Sequence, residues 1–160
     1  MTSKRTVSQA LLGKMVTAAI ATPVYSFLLG LLMSNPFGER AAYWQAYLAD
    51  AIEITPVYMM YSFLVILVYG GLTSLLSDFL ATTLASYTIK RGEPLYAAVF
   101  HLGFGLILWW ISLLAASVYF LVDRVIVANQ FPVNARKILL SFLILIGSWL
   151  LFMSFIWIRG

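Results

Sequence analysis

The chain has 160 residues, of which 62% are hydrophobic and only 10% are charged. Soluble domains are roughly 45 to 50% apolar and 25% charged, so lipid must cover many of these side chains. The net charge of +4 comes from basic residues spread along the chain, not from one cationic surface. This distribution argues against a nucleic-acid partner. With no cysteine and one histidine, we expect neither a metal site nor a cofactor.

Four long apolar segments predict an all-α integral membrane protein that forms a single domain, residues 1–160. Each segment comes near the ~20 residues that a ~30 Å hydrocarbon core requires. The predicted spans cover residues 15–33, 56–78, 95–122 and 138–158. The helical pattern of the second span continues to residue 89. Residues 34–55 form the predicted outer loop, in which residues 41–52 are expected to lie as a short helix in the membrane interface, anchored by aromatic side chains.

Basic residues at the span ends predict the orientation. With four antiparallel up-down spans and both termini inside, the inner side carries Lys4, Arg5, Lys14, Lys90, Arg91 and Arg159, and the outer side carries Arg40, Arg124, Arg136 and Lys137. Because cytoplasmic loops are enriched in Lys and Arg, six against four favours this N-in, C-in four-helix bundle. We therefore expect a multi-pass protein of the cytoplasmic membrane.

Small residues recur at intervals of four along several spans. Such residues allow helix backbones to approach closely, which is how helices associate in lipid. The predicted helix-packing seams comprise Ala18, Thr22, Ser26, Gly30, Ser62, Gly70, Ser74 and Gly105. They predict a protein that self-associates as a homo-oligomer or docks on another membrane protein, with the lipid bilayer as its surroundings.

Asp78 and His101 are the ionisable residues that could lie within the hydrocarbon, and such residues are candidates for function because charge is costly there. Pairing the second and third spans about the turn at 90–94 brings the two side chains within about 6 Å along the axis. Counting about 20 residues inward from Pro56 and from Val122 instead places both at the inner interface. The sequence thus leaves open a buried functional pair and two interfacial structural residues.

No arrangement of residues in the sequence indicates catalysis. Ser77 adjoins Asp78, but no histidine is positioned by sequence to activate its hydroxyl. We name no catalytic residue and favour a non-enzymatic role, as an accessory, immunity-like or self-associating subunit. The alternative is a small solute or proton-coupled transporter that uses Asp78 and His101, and a membrane-embedded enzyme comes third.

Two segments resemble known families. Residues 69–79, YGGLTSLLSDF, resemble the tyrosine-glycine, serine, aspartate segment of small uncharacterised four-span membrane proteins of Bacillus-type bacteria. This resemblance implies a membrane location and four spans. Glu39-Arg40 and residues 50–56 are similar to the loop and second-helix start of the membrane-associated eicosanoid and glutathione metabolism family, also four-span proteins. The glutathione-binding pattern of that family expects asparagine at the position of Asp50 and further arginines, which this loop lacks.

Overall fold

The computed structural model describes residues 7–36, 38, 43–107, 109–129 and 134–159. This part of the chain is helical and contains no strand, which confirms the predicted all-α class. The helices are α1 (Val7–Leu32), α2 (Trp44–Val65), α3 (Gly71–Tyr87), α4 (Glu93–Leu106), α5 (Trp109–Ala128) and α6 (Ala135–Arg159). Four helical stretches are long and apolar enough to cross a membrane, namely Ser8–Leu32, Trp44–Tyr87, Trp109–Ala128 and Ala135–Arg159. Lys4, Arg5, Glu39 and Arg40, which entered the predictions above, lie outside the described residues.

The second stretch is one continuous rod, here called the long helix. It consists of α2, a π-helical segment at Ile66–Gly70, and α3, and its 44 residues extend over about 66 Å. Residues 44–55, expected in a loop with a separate interfacial helix, are instead the first turns of α2. Pro56 lies inside this helix and not at its start. The Thr73 hydroxyl donates to the Tyr69 carbonyl at 2.8 Å and lies 3.2 Å from that of Gly70, supporting the wider π-helical turn.

The predicted third span, residues 95–122, is broken in the structure. α4 and α5 form a tight hairpin that reverses at residues 107–109, where Trp109 has a left-handed φ of 72°, a conformation that bulky residues seldom adopt. Gly105 makes the close packing possible, since a Cβ added there would lie 2.6 Å from the Cβ of Ala116. Farther from the reversal, the His101 ring of α4 and the Tyr119 ring of α5 lie 5.6 Å apart.

This reversal changes the relation of the termini. α5 packs against α1 and runs toward the N-terminal end of that helix, where Asp123 meets Lys14, so α6 starts at the same end of the bundle as α1 and runs parallel to it. The Phe27 and Phe152 rings stack at 6.1 Å, and Arg159 reaches Glu53 near the start of the long helix at 3.0 Å. The two termini of the bundle therefore lie at opposite ends, and the predicted up-down arrangement with both termini on one side is wrong in this respect.

α1 occupies the centre of the bundle and α6 its periphery. In the most apolar 18-residue segment of α1, 56% of the residues are buried. In the corresponding segment of α6, only 11% of the residues are buried. The core consists of small and aromatic side chains from α1, the π-helical segment and α5, namely Ala18, Ala21, Tyr25, Leu29, Ile66, Val118 and Tyr119. Small residues on α1 are what allow its neighbours to approach on several sides.

Candidate functional site

A charged cluster joins α1, α3 and α5 near the N-terminal end of the bundle. Lys14 on α1 is buried, and its Nζ donates to Asp78 Oδ2 at 2.7 Å and to Asp123 Oδ1 at 2.9 Å. The same ammonium donates to the Ser74 hydroxyl at 2.8 Å. An ammonium has three donors, and these three acceptors come from two helices other than its own.

Arg124 completes this cluster, which we call the ion network. Its Nη2 donates to Asp78 Oδ1 at 2.8 Å and to Asp123 Oδ2 at 2.6 Å, and its guanidinium lies over the Phe120 ring at 5.2 Å from the centroid. Two cations thus meet two carboxylates, and each carboxylate bridges both cations. Buried charges of this kind are stable only when they are paired and hydrogen-bonded.

The structure does not join the predicted polar pair directly. Asp78 belongs to the ion network and has a side chain 37% exposed, whereas His101 lies against the Tyr119 and Phe120 rings. Sequence reasoning missed Lys14 as a partner, because a lysine just before an apolar segment ordinarily marks the end of a membrane span. The available signal was that the Lys14 cation and Asp123 both fall within apolar helices.

A cavity of about 430 Å³ lies between the long helix and the α4–α5 hairpin. We call it the crevice; its volume is in the range of small-molecule sites. Its walls are largely aromatic and aliphatic, with five tyrosines, Tyr25, Tyr58, Tyr61, Tyr69 and Tyr119. Among the described residues that line it, none is Lys, Arg, Asp or Glu. The crevice is therefore suited to an apolar ligand.

The π-helical segment shapes one wall of the crevice, and π-helical turns occur frequently at functional sites. The Tyr69 hydroxyl crosses to α4 and donates to the Phe104 carbonyl at 2.8 Å. Gly70 leaves room for Tyr119, since an added Cβ would lie 3.3 Å from that ring. Because the Tyr119 hydroxyl donates to the Lys14 carbonyl at 3.1 Å, this ring also separates the crevice from the ion network.

His101 is a buried polar side chain of the crevice wall. It is only 2% exposed, and neither Nδ1 nor Nε2 has a hydrogen-bond partner among the described residues. Buried polar side chains nearly always have a partner, and a neutral imidazole offers one donor and one acceptor. The ring is held in place by its aromatic neighbours, so this unmet capacity is a fixed feature of the site.

The predicted small-residue seams lie mainly inside the chain's own bundle. The α1 residues Ala18, Thr22, Ser26 and Gly30 are buried. A Cβ at Gly30 would lie 2.6 Å from the Ala51 carbonyl oxygen of α2. On the long helix and α4, Gly70 faces Tyr119, Ser74 accepts from Lys14, Gly105 faces Ala116 and Ser62 lines the crevice. Most of these seams are thus already used to pack the chain on itself.

The described residues offer no metal centre and no activated serine. They contain no group of three or more His, Asp or Glu side chains placed to hold a metal ion. The Ser77 hydroxyl donates to the Thr73 carbonyl at 2.6 Å, a bond typical of a structural serine within a helix.

A comparison of the chain with protein-family models, curated proteins and solved structures finds no match. The two resemblances stated above stay predictions. The crevice and the ion network must therefore be interpreted from their own geometry.

Proposed function

We propose that this chain is a multi-pass protein of a bacterial cytoplasmic membrane that takes an apolar ligand from the bilayer into the crevice. The observation that carries the proposal is the position of the crevice, which lies beside the middle of the long helix and is open on one side. Tyr61 and Val65 on α2 and Ile111 on α5 line it and are exposed. A ligand that diffuses in lipid could enter between these side chains without crossing water.

The exposed surface of the helices supports a membrane location. α6 presents a succession of large apolar side chains, among them Leu139, Leu143, Ile146, Leu150 and Leu151. Contiguous apolar surface of this extent is rare on soluble monomers and is normal for a helix surrounded by lipid.

The distribution of basic residues supports an orientation with the N-terminus inside and the C-terminus outside. With the reversal at 107–109, the described basic residues at the N-terminal end of the bundle are Lys14, Lys90, Arg91, Arg124, Arg136 and Lys137, against Arg159 at the other end. For the same seven residues the four-span arrangement gave four against three, so six against one is a stronger bias. The N-in prediction is kept in this proposal, and the C-in prediction is replaced.

The ion network supports binding in preference to transport. It fastens α1, α3 and α5 to one another behind Tyr119, so that the crevice is formed before a ligand arrives, and preformed sites avoid the free-energy cost of ordering. A proton-coupled carrier would need a carboxylate free to bind a proton, whereas both oxygens of Asp78 and both of Asp123 are engaged with cations. The proposal thus keeps the accessory role predicted from the sequence and gives it a ligand.

Photolabelling tests this proposal. The protein is placed in phosphatidylcholine vesicles with a long-chain alcohol that carries a diazirine on its chain, and the labelled residues are mapped by mass spectrometry. We expect saturable labelling of the crevice wall, including Ala115 and Ser112, which unlabelled alcohol displaces. Ser62→Trp fills the crevice and should abolish this labelling. The matched control Ser154→Trp, on the exposed face of α6, should leave it unchanged.

The outcome that would contradict the proposal is labelling that rises linearly with probe, is spread evenly over the exposed apolar surface, and is the same in the wild-type chain and in Ser62→Trp. That pattern describes lipid that surrounds the protein, not a bound ligand.

A further inference from the structure

The polar groups that line the crevice differ in whether their hydrogen-bond donors are already used within the protein. The hydroxyl protons of Tyr58, Tyr69, Thr73 and Tyr119 are donated to backbone carbonyls, at 2.9, 2.8, 2.8 and 3.1 Å respectively. His101, by contrast, uses neither ring nitrogen. Within the described lining, the imidazole is thus a polar group with its donor and its acceptor both unmet. A ligand oxygen that reached this ring would satisfy a buried group that the described residues leave unpaired.

The charges around the crevice define the charge of the ligand. No Lys, Arg, Asp or Glu belongs to its described lining, and the nearby Lys14, Asp78, Asp123 and Arg124 neutralise one another within the ion network. An anionic or cationic head group would have to leave water without a counter-charge, which is strongly unfavourable. A head group in contact with His101 should therefore be neutral.

The shape of the walls defines the geometry of the ligand. Tyrosine rings from α1, the long helix and α5 surround the space beside His101. Aromatic rings pack best against other flat rings, stacked or edge to face. A volume of about 430 Å³ holds a ring system with part of an attached chain, and the open side between Tyr61 and Ile111 leaves an exit for the rest of that chain.

From these three observations, and resting on the proposed function, we infer that the ligand is a neutral amphiphile with a flat ring that carries a hydroxyl or carbonyl oxygen, and that His101 hydrogen-bonds this oxygen. A carbonyl would accept from the imidazole N–H, and a hydroxyl would donate to the other nitrogen. Ring-bearing lipids of the phenol and quinone class have this chemistry. Phospholipids and fatty acids, whose heads are charged, do not.

Equilibrium binding of three ring probes tests the inference. Menadione, its hydrocarbon analogue methylnaphthalene and the anion naphthoate are dialysed against the protein in nanodiscs, and binding to nanodiscs that carry Ser62→Trp is subtracted. We expect menadione to bind roughly tenfold more tightly than methylnaphthalene, since one hydrogen bond to an otherwise unpaired buried group is worth about that factor. Naphthoate should bind most weakly of the three.

Substitutions at His101 assign the effect to that residue. His101→Phe keeps a flat ring but no polar atom, so menadione affinity should fall to that of methylnaphthalene while methylnaphthalene affinity stays the same. His101→Gln retains a donor and an acceptor and should restore part of the preference. It also keeps the test decisive if the phenylalanine variant does not fold, which thermal unfolding of each variant in detergent reveals.

Failure of this inference differs from failure of the proposed function. If menadione and methylnaphthalene bind equally to the wild-type chain and both are lost in Ser62→Trp, the crevice binds apolar ligands and the role of His101 is refuted. A preference for naphthoate would likewise refute the neutral head group. If none of the probes binds above the Ser62→Trp background and photolabelling is also absent, the proposed function itself fails.

Discussion

A charged side chain that leaves water needs an opposite charge and hydrogen bonds for each of its polar atoms. Lys14, Asp78, Asp123 and Arg124 meet most of this demand together, and removal of any one of them leaves the network with an uncompensated charge. Their arrangement explains why four charges are tolerated at the junction of three apolar helices. It also assigns them a structural role behind the crevice.

Single and paired substitutions in the ion network should differ in their effect on stability. Lys14→Met leaves three charges with a net negative excess, and removing one partner of a buried ion pair typically costs about 3 to 5 kcal/mol of stability. The double variant Lys14→Met/Asp123→Leu removes one cation and one anion and leaves Arg124 paired with Asp78. We expect it to be more stable than Lys14→Met, as measured by thermal unfolding of the purified protein in detergent. A double variant destabilised by the sum of the two single substitutions would contradict the network.

At the residue scale, the sequence identified some of the site and missed its partners. Asp78 and His101 stood out because they are ionisable residues within apolar segments. Lys14 and Arg124 entered the prediction only as span-end charges, because a charge near the end of an apolar run is ordinarily solvated. Which charged side chains meet depends on which helices are neighbours. The reversal of the chain between α4 and α5 determines these neighbours, and the spacing of residues along the sequence does not reveal it.

Among the helices, the α4–α5 hairpin is the element that determines the site. It supplies His101 and Tyr119, and its tight packing depends on Gly105 against Ala116. The reversal has no strong signal in the sequence, because no Asp, Glu, Lys, Arg or proline interrupts residues 95–122. Helical periodicity continues through a sharp turn when both arms are apolar, so one long span was the natural prediction.

Two glycines of α4 provide a matched test of this packing. Gly105→Ala would place a Cβ 2.6 Å from that of Ala116, whereas a Cβ at Gly103 would meet no atom within 4 Å. We expect Gly105→Ala to lose about 1 to 3 kcal/mol of stability through overpacking. Gly103→Ala should gain roughly 0.5 to 1 kcal/mol from its greater helix propensity. Both are measured as the free energy of unfolding in detergent and denaturant.

Exchange of the two residues makes the test specific. Gly105→Ala/Ala116→Gly moves the methyl group across the interface and should recover much of the lost stability. Equal stability of Gly105→Ala and Gly103→Ala would show that α4 and α5 do not pack as described.

For the whole molecule, the apolar composition predicted the helical class and four apolar segments, and the structure agrees. The number of passes could not be read in the same way, because a hairpin that enters and leaves at one end has the same composition as a complete span. With that hairpin, α1, the long helix and α6 connect the two ends of the bundle, and α1 begins at the end opposite to the one where α6 finishes. Most of the described basic residues then lie at the N-terminal end of the bundle, whereas the four-span arrangement distributed them over both ends.

Single-cysteine labelling tests this topology, and the absence of native cysteine makes the background simple. In intact cells, a membrane-impermeant maleimide should label Arg159→Cys but should label Arg91→Cys and Arg136→Cys only after permeabilisation. The ion pair of Arg159 with Glu53 is exposed, so replacement of Arg159 should disturb stability little. Identical behaviour of Arg91→Cys and Arg159→Cys would restore the arrangement with both termini on one side.

The central claim is that the crevice holds a neutral, ring-bearing ligand taken from the bilayer. The most direct measurement is mass spectrometry of the small molecules that co-purify from native membranes with the wild-type chain, Ser62→Trp and Ser154→Trp. We predict that a neutral ring-bearing lipid accompanies the wild-type chain and Ser154→Trp in near-stoichiometric amount and is absent from Ser62→Trp. The same set of lipids in all three preparations, in proportion to the surrounding membrane, would contradict the claim.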